Sequence, residues 1–180
     1  MTKKWDVVDL LRHSRHDWLN VIQLIKGNIA LHRLERVDEI IDEIIQKAQN
    51  ESKLSDLKIP ALASELLTIN WENHLYEIEL EVIGDVQDLS AYEQSLQVWC
   101  KKIFSLLDDV CSNSCENQLL LTFYLVEDDL SVSFDFQGEI QNQAVIKDWI
   151  RANEKTGTNM TIKEFVMNSE EVLLTLALVK

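Results

Sequence analysis

Of 180 residues, one is proline, four are glycine and three are cysteine, and each scarcity removes a class of protein. A single Pro with so little Gly excludes a collagenous repeat, a Pro-rich linker or a low-complexity tail. Cys100, Cys111 and Cys115 are odd in number, lack C-x-x-C spacing and have no His nearby. They read as reduced thiols, neither a disulfide framework nor zinc ligands, and no metal site is expected. Positive charge is short as well. Seventeen Lys and Arg stand against 31 Asp and Glu, a net charge of −14, which disfavours nucleic acid or an anionic membrane as the main partner. No apolar run approaches the roughly 18 residues of a membrane span, and the opening Met-Thr-Lys-Lys-Trp-Asp has no signal core, so a cytoplasmic protein is expected.

What is present begins with a long amphipathic helix, predicted from about Asp6 to Leu31. Val7, Leu11, Ser14, Trp18, Val21 and Ile25 recur at spacings of three and four, with Ile22 and Ile29 alongside, as one mostly apolar stripe suited to a bundle seam. His16 falls roughly 140–160° from the middle of that stripe and so points outward. Arg12, Asn20, Gln23 and Gly27 share its face. Leu24 and Leu31 fall on or near it, where a helix with no partner would carry polar residues, and this marks a docking surface. Arg12, Arg15 and Lys26 also make this helix much less acidic than the rest of the chain.

A second amphipathic helix follows at once, with Val37, Ile40, Ile41, Ile44, Ile45 and Ala48 on its apolar face, ending near Ser55 to Lys58. Pro60 interrupts whatever precedes it, which puts a domain boundary at about Lys58. Two long helices on a short connection form an antiparallel hairpin. Its apolar stripe is completed either by a second copy, giving a four-helix bundle, or by the C-terminal half of the chain. Beyond the boundary the pattern predicts a helix over 61–73, a half-buried strand over 76–83 and a long helix N-capped by Ser90. A hairpin of 119–126 with 130–136, a short helix over 144–152 and strands over 161–167 and 172–179 complete an α+β layer.

His16-Asp17-Trp18-Leu19-Asn20 resembles the phosphoacceptor box of two-component histidine kinases. The longer run from His16 to Asn28, with Glu51-Ser52-Lys53-Leu54-Ser55 and Asp88-Leu89-Ser90-Ala91-Tyr92 following in order, is similar to the sporulation phosphorelay phosphotransferases related to those kinases. The resemblance implies a helical phosphoacceptor and dimerisation domain over 1–58 and an α/β domain over 59–180 like the kinase ATP-binding domain. The nucleotide motifs are eroded. Where the kinases have N-x-x-x-N, a matching position here holds Ser105-Leu106-Leu107-Asp108-Asp109. Where they have D-x-G-x-G, it holds Asp135-Phe136-Gln137-Gly138-Glu139. Gly157 stands alone where a phosphate lid needs several glycines. Loss of glycines bars the close backbone approach that phosphate requires, and added carboxylates repel it.

The phosphoryl group is therefore expected to come from another protein, with no cofactor bound by this chain. The resemblance implies response-regulator receiver domains as donor and acceptor, with magnesium supplied at the receiver's active site, and a homodimer. A neutral imidazole is a competent nucleophile, and transfer through a loose transition state needs mainly positioning and charge neutralisation. His16 is the expected carrier and Arg12, Arg15, Asp17 and Asn20 the supporting residues. Gln23, Leu24, Gly27 and Leu31 are expected to contact the partner. A receiver-binding scaffold without chemistry, or a degenerate active kinase, are the alternatives.

Overall fold

The computed structural model describes residues 5–112, 116–126, 129–153 and 159–179. The chain forms two compact units, Met1–Gln49 and Asn50–Lys180, and the second helix belongs partly to each.

In the first unit, helix α1 (Val7–Ala30) starts at Asp6, whose carboxylate accepts the Asp9 N–H at 2.8 Å and satisfies one of the donors that a helix start leaves over. It closes where the Leu31 N–H reaches the Gly27 carbonyl. His32 then takes the left-handed conformation, φ 56°, which turns the chain into α2 (Leu34–Asp56). Val37 and Ile40 are buried and Ile44 is half-buried on α2, facing Val21, Ile25 and Asn28 as the covered positions of α1. Asn28 is the unforeseen member. Its amide donates to the Leu24 carbonyl at 2.9 Å, the kind of local bond that lets a polar side chain enter a seam.

The apolar stripe of α1 is split. Val21, Ile25 and Ser14 are at least partly covered, but Leu11, Trp18, Ile22 and Ile29 stay exposed, as do Leu34, Ile41 and Ile45 on α2. A stripe wider than one neighbouring helix can cover leaves its far half in solvent.

The second unit is a five-stranded sheet with helices on one face. Helix α3 (Pro60–Thr68) has Pro60 in its first turn, where a missing N–H costs nothing, and runs into a 3₁₀ turn at Ile69–Trp71. Strand β1 (Glu77–Gly84), helix α4 (Glu93–Val110), strands β2 (Gln118–Val126) and β3 (Asp129–Gln137), helix α5 (Gln143–Asn153) and strands β4 (Met160–Met167) and β5 (Glu171–Leu178) follow. The sheet order is β1-β2-β3-β5-β4, with β1 parallel to β2 and the other pairs antiparallel. Helix α4 is thus the crossover between two parallel neighbours.

Strand alternation sends Leu119, Leu121, Phe123, Phe134 and Phe136 into one core with Leu62, Leu66, Leu96, Ile103, Leu107 and Ile150 of the helices. The edge strand β1 is covered by side chains. Asn70 pairs with both the N–H and the carbonyl of Ile78, at 2.9 and 2.7 Å. Asn50 accepts the Val82 N–H at 3.1 Å and Lys53 donates to the Val82 carbonyl at 3.1 Å. Edge groups used in this way are withdrawn from pairing with another strand.

Ser90 is not the N-cap of the long helix. It opens a 3₁₀ turn, Ser90–Tyr92, and its own N–H is taken by the Asp88 carboxylate at 2.9 Å, so α4 begins three residues later. The Ser90 hydroxyl, and after it this N–H, hold the Asp88 carboxyl below the usual carboxylate range. The turn at Glu127-Asp128, Cys115 and Gly157 lie outside the described residues. Cys100 and Cys111 are buried, and burial pushes the Cys100 thiol up.

Candidate functional site

His16 sits on the third turn of α1 with its side chain 72% exposed. Two neighbours hold the same ring nitrogen. The Asn20 amide nitrogen lies 3.2 Å from His16 Nδ1, one helical turn on, and the Asp17 carboxylate lies 3.6 Å from it. Adjacent helical residues diverge by about 100°, so contact with Asp17 was not an obvious consequence of sequence. The exposed rotamers bring the two together. Neither contact touches Nε2. An acceptor beside Nδ1 favours the tautomer with its proton there, which leaves the Nε2 lone pair to act as nucleophile. It is the Asn20 amide nitrogen that faces Nδ1 here, and only a half-turn about its last torsion would present its oxygen to an N–H at that position.

The remaining site residues divide by what holds them. Arg12 is ion-paired with Asp9 one turn back, so its charge is partly answered within the helix. Arg15 is exposed and lies between the outward face and the uncovered apolar stripe. Gln23, Leu24, Gly27 and Leu31 are all exposed, with Leu24 at 52% and Leu31 at 63%. A Cβ added at Gly27 would meet nothing within 4 Å in this chain, so its smallness is not demanded by its own fold. His13, which lacks a following acid and an Asn four residues on, is half-buried and packed edge-on against Trp5 with ring centroids 4.8 Å apart. His74 is tied in the other unit to Asp108, Nδ1 to Oδ1 at 2.9 Å.

In the second unit, the positions matched to nucleotide motifs do not converge. Asp108 turns to His74, and Asp109 is exposed. Asp135 is placed by alternation on the face opposite Phe134 and Phe136, beside Glu79, Gln118 and Gln137. On this strand it is Phe136, not Asp135, that faces the helices. The space between α4, α5 and the sheet holds a cavity of about 20 Å³, walled only by apolar side chains such as Leu106, Phe134, Phe136 and Trp149. The Gly138 segment is laced shut. Its successive N–H groups go to the Glu170 carbonyl, the Asn117 side-chain oxygen and the Ser169 carbonyl, at 2.9, 3.1 and 3.0 Å. A Gly-rich phosphate loop works by presenting such N–H groups to the ligand, and these are spent.

Asn117 was not singled out by sequence reasoning and has no signal there. It is buried, donates to the Leu75 and Ser112 carbonyls at 2.9 and 2.8 Å, and accepts from Glu139. A Cβ on Gly138 would fall 2.1 Å from its oxygen. No group of three or more metal-capable His, Cys, Asp or Glu side chains gathers among the described residues, and no described helix is long and apolar enough to cross a membrane.

An exposed, doubly braced His on a helical hairpin, followed by an α/β unit of mixed sheet, defines the histidine-kinase-like class of proteins. Residues 58–179 match the family described as sporulation initiation phospho-transferase B, C-terminal, and residues 1–57 match the sensor kinase SpoOB-type alpha-helical domain. The chain belongs to the sporulation initiation phosphotransferase B family. It is 41% identical over 175 residues to sporulation initiation phosphotransferase B of Bacillus subtilis (strain 168), covering 96% of this chain and 90% of that protein. Among solved structures it is similar to the Acinetobacter baumannii histidine kinase AdeS, at 12% identity and a TM-score of 0.43 over 91% of this chain and 97% of that one. It is also similar to the blue-light activated histidine kinase of Erythrobacter litoralis EL346, at 9% identity and a TM-score of 0.48 over 99% of this chain and 61% of that one.

Proposed function

We propose that this protein is a cytoplasmic phosphorelay phosphotransferase in sporulation initiation. It takes a phosphoryl group from an aspartyl phosphate on one response-regulator receiver domain and delivers it to the aspartate of another. The observation that carries this reading is the bracing of His16 through Nδ1 on an exposed helical face.

Nε2 attacks phosphorus, the N–P bond forms as the acyl phosphate P–O bond breaks, and the receiver's carboxylate leaves. The imidazole becomes cationic with its proton still on Nδ1, and Asp17 stands beside that charge. Reversal onto a second receiver breaks the N–P bond and restores the neutral ring. Asn20 and Asp17 hold the ring in line. Arg15 and Arg12 answer the phosphate charge and the acidic receiver pocket. The receiver docks along Gln23, Leu24, Gly27 and Leu31, the two leucines serving as anchors and the bare Gly27 admitting a partner's backbone.

In this reading residues 1–58 are the phosphoacceptor and dimerisation domain and 59–180 the domain that has given up nucleotide. The chain binds no cofactor, and the receiver's own active site supplies magnesium. A second copy covers Leu11, Trp18, Ile22 and Ile29, completing a four-helix bundle.

The test is labelling from a phosphorylated receiver. The unmodified chain should acquire acid-labile phosphate, His13→Gln should retain it, and His16→Gln should lose it while keeping its circular dichroism and its mass in solution. Undiminished label on His16→Gln would overturn the assignment. Receiver binding without any label would leave a scaffold.

A further inference from the structure

The helices of the second unit cover one face of its sheet and leave the other open. On the open face the middle strand β3 carries only Ser131 and Ser133 along its centre, between Tyr124 and Thr122 of β2 and Ala177 and Thr175 of β5. One step along, Leu120 and Leu173 stand on either side of Asp135. Low side chains on β3 between taller ones at Tyr124, Leu120 and Leu173 make a shallow groove along the strand. A sheet face left to water alternates to polar residues. On this one Tyr124 adjoins Ile83 and Leu173 adjoins Val166, and Ile83, Tyr124 and Val166 are exposed.

The charge of the face has one sign. Glu77, Glu79 and Glu81 line its β1 side, Glu164 stands on β4, Glu171 on β5 and Asp135 in the middle, and none of them is ion-paired among the described residues. Lys163, at one corner, is taken by Asp129, Nζ to Oδ1 at 2.8 Å. Glu79, Gln118, Leu120, Asp135 and Gln137 wall a cavity of about 130 Å³, and by register Leu120 lies between its two carboxylates. One Asp135 oxygen is buried without a hydrogen-bond partner among the described residues, and burial, then the Glu171 charge, hold its carboxyl above the usual range. A cation in that cavity answers both.

We propose that the open face of this sheet docks an amphipathic α-helix of a partner protein, seated along β3 with small or apolar residues in the groove and with Lys or Arg along the flank that meets Glu77, Glu79 and Glu81, one of these cations entering the cavity between Glu79 and Asp135. An extended segment laid on a sheet face leaves its backbone N–H and C=O groups without partners, and at the β1 edge such groups are already taken by Asn70, Asn50 and Lys53. A helix satisfies its own. At about 10 Å across, it spans the two gaps of about 4.8 Å each from β2 to β5. Cations four residues apart repeat about every 6 Å along a helix, close to the roughly 6.7 Å between alternate residues of a strand, so the basic flank runs in step with the three glutamates. The face lies wholly within the second unit and involves no residue of the His16 helix.

The experiment titrates the full-length chain into a fluorescent synthetic helix of about five turns, Ala and Leu on one side and Lys at every fourth position of one flank, and reads anisotropy at low and high salt. The peptide should bind, more weakly as salt rises, and a peptide with Glu in place of Lys should not. Glu79→Lys and Tyr124→Ser, both at exposed positions and checked by circular dichroism, should each weaken binding on the order of tenfold. Asp109→Lys, the same charge change on α4, should stay within about twofold of the unmodified chain. A scrambled peptide of equal composition that binds as tightly, or an Asp109→Lys loss equal to that of Glu79→Lys, would reduce the effect to general attraction and overturn the docking. Spermine binding as tightly as the peptide would overturn the helix in favour of a free cation. Absence of peptide binding would overturn the proposal, and if Tyr124→Ser also lowered the mass in sedimentation, the occupant would be a second copy instead.

Discussion

His16 has Asn20 and Asp17 beside one ring nitrogen only, and this division separates it from the other imidazoles. His74 also has a carboxylate at Nδ1, but its Nε2 is buried, so no partner can reach it. His13 is held against Trp5. At the same scale, Leu24 distinguishes docking from packing. Being more than half exposed, Leu24→Ala should weaken receiver binding by about 1–2 kcal/mol in a titration and barely move the melting temperature. Asp135 has the opposite character. One of its oxygens is buried with no hydrogen-bond partner among the described residues, and its pKa is raised, first by burial and then by the Glu171 charge. A carboxyl whose folded pKa lies above its unfolded value binds its proton more tightly when folded, so stability is lost as pH rises through that raised value. Asp135→Asn should therefore melt higher than the unmodified chain at neutral pH, the difference shrinking as the solution is acidified towards the ordinary carboxylate range. An equal gap at every pH would show that Asp135 is not the titrating group.

Among the elements, the segment after β3 shows how a nucleotide loop is closed. Three consecutive N–H groups bond to Glu170, Asn117 and Ser169, and Asn117 joins this segment to the strand-leading residues Leu75 and Ser112. Asn117→Ala would leave two carbonyls and one N–H without partners in a buried place. Each such group costs about 1–3 kcal/mol, so a total loss of about 3 kcal/mol or more is expected by urea denaturation. A loss below about 1 kcal/mol would mean that water replaces the amide. Helix α1 has the reverse economy, since its covered face is narrow and much of its apolar surface stays open for other chains.

For the whole molecule, charge is divided unevenly between the units. Residues 1–49 carry eight Lys and Arg against eight Asp and Glu, and residues 50–180 carry nine against 23. All of the net negative charge thus lies in the second unit, and residues 1–49 are neutral. Under the proposed function, an acidic receiver meets least repulsion there. The same charge, with a 20 Å³ apolar cavity in place of a nucleotide cleft, opposes a triphosphate. Titration calorimetry with Mg-ATP should show no binding up to millimolar ligand. A micromolar dissociation constant would revive the kinase alternative.

Periodicity alone established the two long helices with a very short break between them, the alternating strands and the outward position of His16, because a face repeating every 3.6 or two residues is a property of local backbone geometry. It also showed which motif positions lack glycine. It did not show which neighbour covers a face. One stripe on α1 was legible, but only packing against α2 divided it into the covered Val21 and Ile25 and the open Trp18 and Ile22. Strand register decided that Asp135 looks away from the helices, since a shift of one residue inverts every side chain. Asp88 took the N–H of Ser90, and helix α4 began at Glu93 instead. The burial of Asn28 and Asn117 was decided only in three dimensions, because a polar side chain enters a core where distant backbone groups can satisfy it, and those groups are not its neighbours in sequence.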